Sequence, residues 1–153
     1  MLTEEIKNYI DKSVLCWLAT CNKDGEPNVS PKEMFTWQDE QTLLIAHIAS
    51  PNSVANIRNN PNVCVSFVDV FVQKGFKLKG RARIIEKEHA AFPHKVKHLT
   101  DLFSDTFPIK DVIEVTVTKA EPIVAPSYFL FPETTEEGQI AAAHKTYKVR
   151  AAE

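Results

Sequence analysis

The segment Ala49–Pro61, A-S-P-N-S-V-A-N-I-R-N-N-P, places a short helix between two strongly apolar runs, Leu43–Ile48 and Val63–Val72. Both runs have strand length, and the second carries branched residues on both faces, so one compact helix has to bridge two buried strands. Ser50 is a favourable N-cap, and Pro51 stands at the first helical position, where a missing N–H costs nothing. The first turn then presents the backbone donors of Asn52 and Ser53, with small polar side chains, at the end where the helix dipole favours negative charge. A phosphate fits there. The same signals, with Asn60 and Pro61 closing the helix, also describe an ordinary capped surface helix.

The rest of the chain reads as strands with a few helices. Thr3 caps a first helix with Glu4 and Glu5 in its opening turn, and Ile6, Tyr9 and Ile10 recur on one face. Val14–Cys21 and Pro27–Phe35 are extended runs joined by the turn Asn22-Lys23-Asp24-Gly25, which makes them a hairpin. Gln38–Gln41 is the next turn. Beyond Val63–Val72, Lys74-Gly75 turns the chain into a fifth strand, where Phe76, Leu78, Ala82 and Ile84 alternate with Lys77, Lys79, Arg81 and Arg83. A helical segment over about Glu88–Ser104, interrupted near Pro93, precedes a sixth strand over Val112–Val124. Past Pro126, Tyr128, Phe129 and Phe131 make an aromatic arm, and a capping box at Thr134-Thr135-Glu136-Glu137 opens a last helix; arm and helix span about 127–148. Six mostly antiparallel strands without βα alternation predict a mainly β fold, a small β-barrel with flanking helices, in one domain over 1–153.

A formal charge of −2 is too small for general attraction to nucleic acid or membranes. Cys16, Cys21 and Cys64 are odd in number and lack C-x-x-C spacing, which points to reduced thiols rather than disulfides or structural zinc. The N-terminus is acidic and amphipathic and no apolar stretch nears membrane-spanning length, so the expected location is the cytoplasm.

The four cations of the fifth strand describe either a solvated face or a surface that meets an anion, because like charges at successive same-face positions repel. A rival reading is a nucleic-acid-binding barrel, with these cations tracking phosphates and Phe71 and Phe76 offering stacking surfaces. Low net charge and the inward placement of Phe76 speak against it. His94 and His98 stand four apart near His89 and Asp101, but Pro93, the flanking Lys95 and Lys97, and the lack of a third ligand with firm spacing argue against a metal. No nucleophile motif or dinucleotide fingerprint is present.

Three passages, in this order and spacing, carry a resemblance: V-L-C-W-L-A-T-C followed by a D-G turn and P-N-V-S-P-K-E; S-P-N-S-V-A-N-I-R-N-N-P before V-C-V-S-F; and F-K-L-K-G. From Val14 to about Ile85, and more loosely to Val124, the chain resembles the pyridoxamine 5′-phosphate oxidase-like family of split β-barrel flavoproteins. The resemblance implies a six-stranded antiparallel split barrel and a homodimer. Flavin mononucleotide (FMN) would lie in clefts at the subunit interface, with oxidoreduction of a small molecule as the function. A flavin-storage role, or a related haem or deazaflavin ligand, is the alternative within the same fold.

Carried over by position, Ser30, Pro31, Lys32 and Glu33 line the flavin, with Lys32 as a charge contact; Ala46 and His47 lie beside it; Ser50, Asn52 and Ser53 form the phosphate turn. The partner subunit contributes the stretch from Lys74 through Lys77 to Lys79. The oxidases proper carry an arginine and a lysine where this chain has Asn52 and Ser53, and a glutamine where Gly75 stands; their C-terminal tryptophan and arginine pattern is absent here. The resemblance therefore implies the flavin without implying the vitamin substrate.

Overall fold

The alternating run through Ile84 becomes the spine of a seven-stranded antiparallel sheet in the computed structural model, which describes residues 1–151. The strands are β1 (Cys16–Cys21), β2 (Pro27–Lys32), β3 (Phe35–Trp37), β4 (Thr42–His47), β5 (Asn62–Asp69), β6 (Lys74–Ile85) and β7 (Asp111–Val124). Their spatial order is β2-β1-β5-β6-β7-β4-β3. Helices α1 (Glu4–Lys12), α2 (Pro51–Asn59), α3 (Phe92–Thr100), α4 (Ser127–Leu130) and α5 (Glu136–Tyr147) flank it. Residues 152 and 153, part of the expected span 1–153, lie outside the described residues.

The two edge strands, β2 and β3, are consecutive in the chain and joined by Glu33-Met34 alone. So short a link forces the sheet to curl until its edges approach, as a split barrel does. At that seam the Ala46 N–H donates to the Met34 carbonyl at 2.9 Å. This is where the expected count of six strands fails: Pro27–Phe35 is not one strand, because the chain leaves one edge at Lys32 and joins the other at Phe35.

Two further boundaries differ from expectation. Lys74 and Gly75 pair with Asp69 and Val68 inside the ladder, and the turn lies over 70–73, with Gln73 at φ 57°. Gly75 is required there, since a Cβ would press into the Phe67 carbonyl; this backbone has no room for the glutamine of the oxidases proper. The helix expected from Glu88 starts at Phe92, so Pro93 sits in its first turn and is tolerated rather than interrupting it. Thr3 caps α1 as anticipated, accepting from the Ile6 N–H, and the cap of α5 falls one residue into the expected box, at Thr135, which accepts from the Gly138 N–H.

The barrel interior is filled by Leu18, Val65, Phe67, Leu78 and Val115, with Ile6 and Ile10 of α1 and Ile57 of α2 closing its ends. A second apolar cluster lies under α3, where Leu99 meets Met34, Leu44, Ala46, Ile85 and Val112. Even- and odd-numbered residues of β4 thus serve different cores. Three charges pin α3 to the sheet: Glu114 receives Arg83 at 2.5 Å and the buried Lys95 at 2.6 Å, and Lys95 also donates to Gln38. Burial alone would raise the Glu114 carboxyl, but the hydrogen bonds from Arg83 and Lys95 outweigh it and hold it below the usual carboxylate range.

Two outcomes are expected. Gly75→Ala should lower stability by at least about 2 kcal/mol in urea melts, because backbone rather than a flexible side chain must yield. Glu114→Gln should cost about 3–5 kcal/mol at neutral pH by leaving Lys95 buried without its partner. Since the native carboxyl is depressed, that stabilisation is present above the ordinary Glu value and fades as pH falls through the native one. Wild-type and variant midpoints should therefore converge in acid; equal midpoints at pH 7 would show the triad to be neutral.

Candidate functional site

Where the chain crosses the seam, the end of β2, the end of β4 and the start of α2 converge on a cleft of about 370 Å³. That is within the range of roughly 300–1,000 Å³ typical of small-ligand sites. It brings together Ser30, Pro31, Lys32, Glu33, Ala46 and Ser50 from the residues expected at the cofactor, and adds Met34, Ile48, Ala49 and Phe107. Its lining mixes the polar Ser30, Lys32, Glu33 and Ser50 with a larger number of apolar side chains.

Lys32 is the one cation of this lining. Its side chain is buried, its ammonium donates to Ser50 Oγ, and no carboxylate pairs with it among the described residues. Cys16, opposite it in the β1–β2 register, gives no counter-charge, because burial pushes that thiol up to about 12. Desolvation in turn lowers the Lys32 pKa. A buried cation held by one hydroxyl has charge left to offer an anion. Because Ser50 is engaged by Lys32, no side chain caps α2, and its opening N–H groups keep their anion-binding capacity.

The first turn of α2 differs from the sequence reading in its side chains. Ser53 does not face outward: it is fully buried, with its Oγ 3.0 Å from Ser30 Oγ and 3.4 Å from Asn28 Nδ2, so it ties α2 to β2. Only its backbone N–H is left for a ligand. Asn52 is exposed and lines a separate polar groove of about 320 Å³ with Asn28 and Asn56. Glu33 stands exposed at the cleft rim, where its charge opposes an anion.

His47 lies next to Ala46 but on the opposite face of β4, and does not line the cleft. Its Nδ1 pairs with Asp111 Oδ2 at 2.9 Å, and its Nε2 is buried without a partner among the described residues. Lys74 pairs with Glu136 at 2.7 Å and lies over the Tyr128 ring, so in this chain it fastens the C-terminal arm. Lys77 and Lys79 stand on the outer sheet face beside Glu121, at 3.8 and 3.2 Å, with Lys119 on the same carboxylate. Hydrogen bonds from Lys119 and Lys79 hold Glu121 down to about 2. One acid among three lysines leaves that face positive.

Sequence reasoning missed Met34, Ile48, Ala49 and Phe107 because a cleft wall assembled across a seam has no local pattern. It also missed Asp111, which the β4–β7 register sets opposite His47. Phe76 is buried, so it offers no stacking surface to a nucleic acid, and His98 donates to the Trp37 carbonyl at 3.0 Å. Among the described residues no helix is long and apolar enough to cross a membrane.

No sequence relative was found among curated proteins. Solved structures resemble the chain over most of their length. HupZ from Group A Streptococcus is 25% identical at a TM-score of 0.68, covering 78% of this chain and 92% of that one. An FMN-binding protein from Syntrophomonas wolfei is 16% identical at 0.69, covering 81% and 87%. An F420 reductase is 22% identical at 0.60, covering 78% and 98%. The sequence of residues 2–123 matches the pyridoxamine 5′-phosphate oxidase family, and the chain belongs to it.

Proposed function

We propose that the protein binds FMN in the seam cleft and, as a homodimer, uses it to oxidise or reduce a small molecule. The observation that carries this reading is the buried Lys32 ammonium beside the uncapped start of α2, in a cleft otherwise lined largely by apolar side chains. A molecule that joins a phosphate to a broad flat ring matches such a lining. The likeness to an FMN-binding protein and membership of the family agree with it.

When bound, the flavin supplies the electron-transfer chemistry. Lys32 and the first N–H groups of α2 hold the phosphate, compensating for the Arg and Lys of the oxidases proper that Asn52 and Ser53 replace. Met34, Ala46 and Ile48 exclude water at the ring end. Asp111 fixes the orientation of the His47 imidazole on the other face of β4.

The second copy docks on the outer face of β2, β1, β5 and β6. There Val29 and Trp17 are 58% and 45% exposed, beside Ala19 and Pro31, and across β5 stand Lys77 and Lys79. Such an apolar strip marks an interaction site, and its edging by lysines lets one copy bring cations toward the phosphate of the other.

Three results are expected. FMN added to the protein should lose fluorescence on binding, and Lys32→Met should weaken that binding about tenfold or more; a colourless protein that leaves FMN emission unchanged overturns the reading. Without ligand, Lys32→Met should raise the thermal midpoint, since it removes a buried charge. That gain should narrow as pH rises toward the ordinary lysine value of 10.5, where the native ammonium has already lost its proton. Trp17→Glu should sediment as a monomer with impaired flavin binding; a persistent dimer would place the interface elsewhere.

A further inference from the structure

The segment between α3 and β7 carries large apolar side chains in the open: Leu102, Phe103 and Phe107 are 61%, 37% and 55% exposed. Of these, Phe107 lines the seam cleft. Its placement is not loose. Pro108 follows it and confines its backbone to extended conformations. Ile109 is buried with Met34, Leu44 and Ala46, and the Lys110 N–H donates to the His47 carbonyl at 2.9 Å. The Phe107 ring is thus tethered at the cleft, yet more than half of it meets water, and no other aromatic ring of the described residues stacks on it.

Exposed aromatic surface is unfavourable in water, and a flat ligand ring stacked on it covers one whole face. Within the same cleft the anion site is fixed by Lys32 and Ser50, while Phe107 shares its lining with Met34 and Ile48. We propose that Phe107 stacks on the planar ring of the molecule bound in this cleft, and so selects ligands that join a flat, largely apolar ring to an anionic group. This inference rests on the flavin reading and deepens it, because it assigns the ring-contacting residue from the α3–β7 connection.

The test titrates FMN fluorescence in the full chain, with wild type, Phe107→Ala, Phe107→Tyr and Phe107→Trp compared and each sedimented. Phe107→Ala should bind FMN about two- to tenfold more weakly, and Phe107→Tyr should restore affinity. Phe107→Trp should further lower the emission of bound FMN, because a stacked indole donates an electron to the excited flavin; a purely structural role would not produce that signature. Equal affinity of wild type and Phe107→Ala overturns the stacking assignment and leaves the flavin reading intact. A wild-type protein that does not bind FMN overturns both. Altered sedimentation of Phe107→Ala would make Phe107 a subunit contact and overturn the assignment as well.

Discussion

An ammonium taken out of water loses hydration worth several kcal/mol, and proteins recover that with an opposite charge or a full set of acceptors. Lys32 has one hydroxyl acceptor, Ser50 Oγ, and a neighbouring thiol that stays neutral. Several other features follow from this arrangement. Ser50 serves the lysine rather than its own helix, so α2 begins uncapped; β2 must stop at Lys32 for the ammonium to reach the helix start; and the seam must stay open beside it. The contrast with Lys95 is instructive. Lys95 is equally buried but sits against Glu114 and Gln38, so its charge is satisfied and holds α3 in place. One buried lysine is a structural member, and the other faces an open cleft.

Features set by local periodicity were legible in the sequence. The alternation from Phe76 to Ile84 fixed which face of β6 turns inward, and the Pro51 and Asn60 boundaries framed α2 almost to the residue. The bend at Glu33-Met34 was not legible, because it is imposed by closing a sheet whose two edges are consecutive in the chain. Ser53 was misjudged for a related reason: capping signals say that polar side chains lie in a first turn, but only the packing of α2 on β2 decides which of them turn inward. Lys32 came from a resemblance to a family rather than from its own neighbours. Its burial, which gives it significance, is a tertiary fact, as is the pairing of His47 with Asp111.

A cleft with one buried cation, a rim carboxylate at Glu33 and no charged side chain in the first turn of α2 would by itself hold a doubly charged group weakly. Meanwhile Lys77 and Lys79, sharing Glu121 with Lys119, crowd positive charge onto a sheet face where Trp17 and Val29 are exposed. Taken singly, each region is unfavourable: the cleft has little positive charge for a phosphate, the lysine face has too much for itself, and the strip between them leaves apolar surface in water. In the homodimer proposed above, a two-fold contact would relieve all three together, because an isologous interface repeats every contact and lysines brought to one cleft would be brought to both. In that arrangement, cations carried across the interface would not need to be encoded in the first turn of α2.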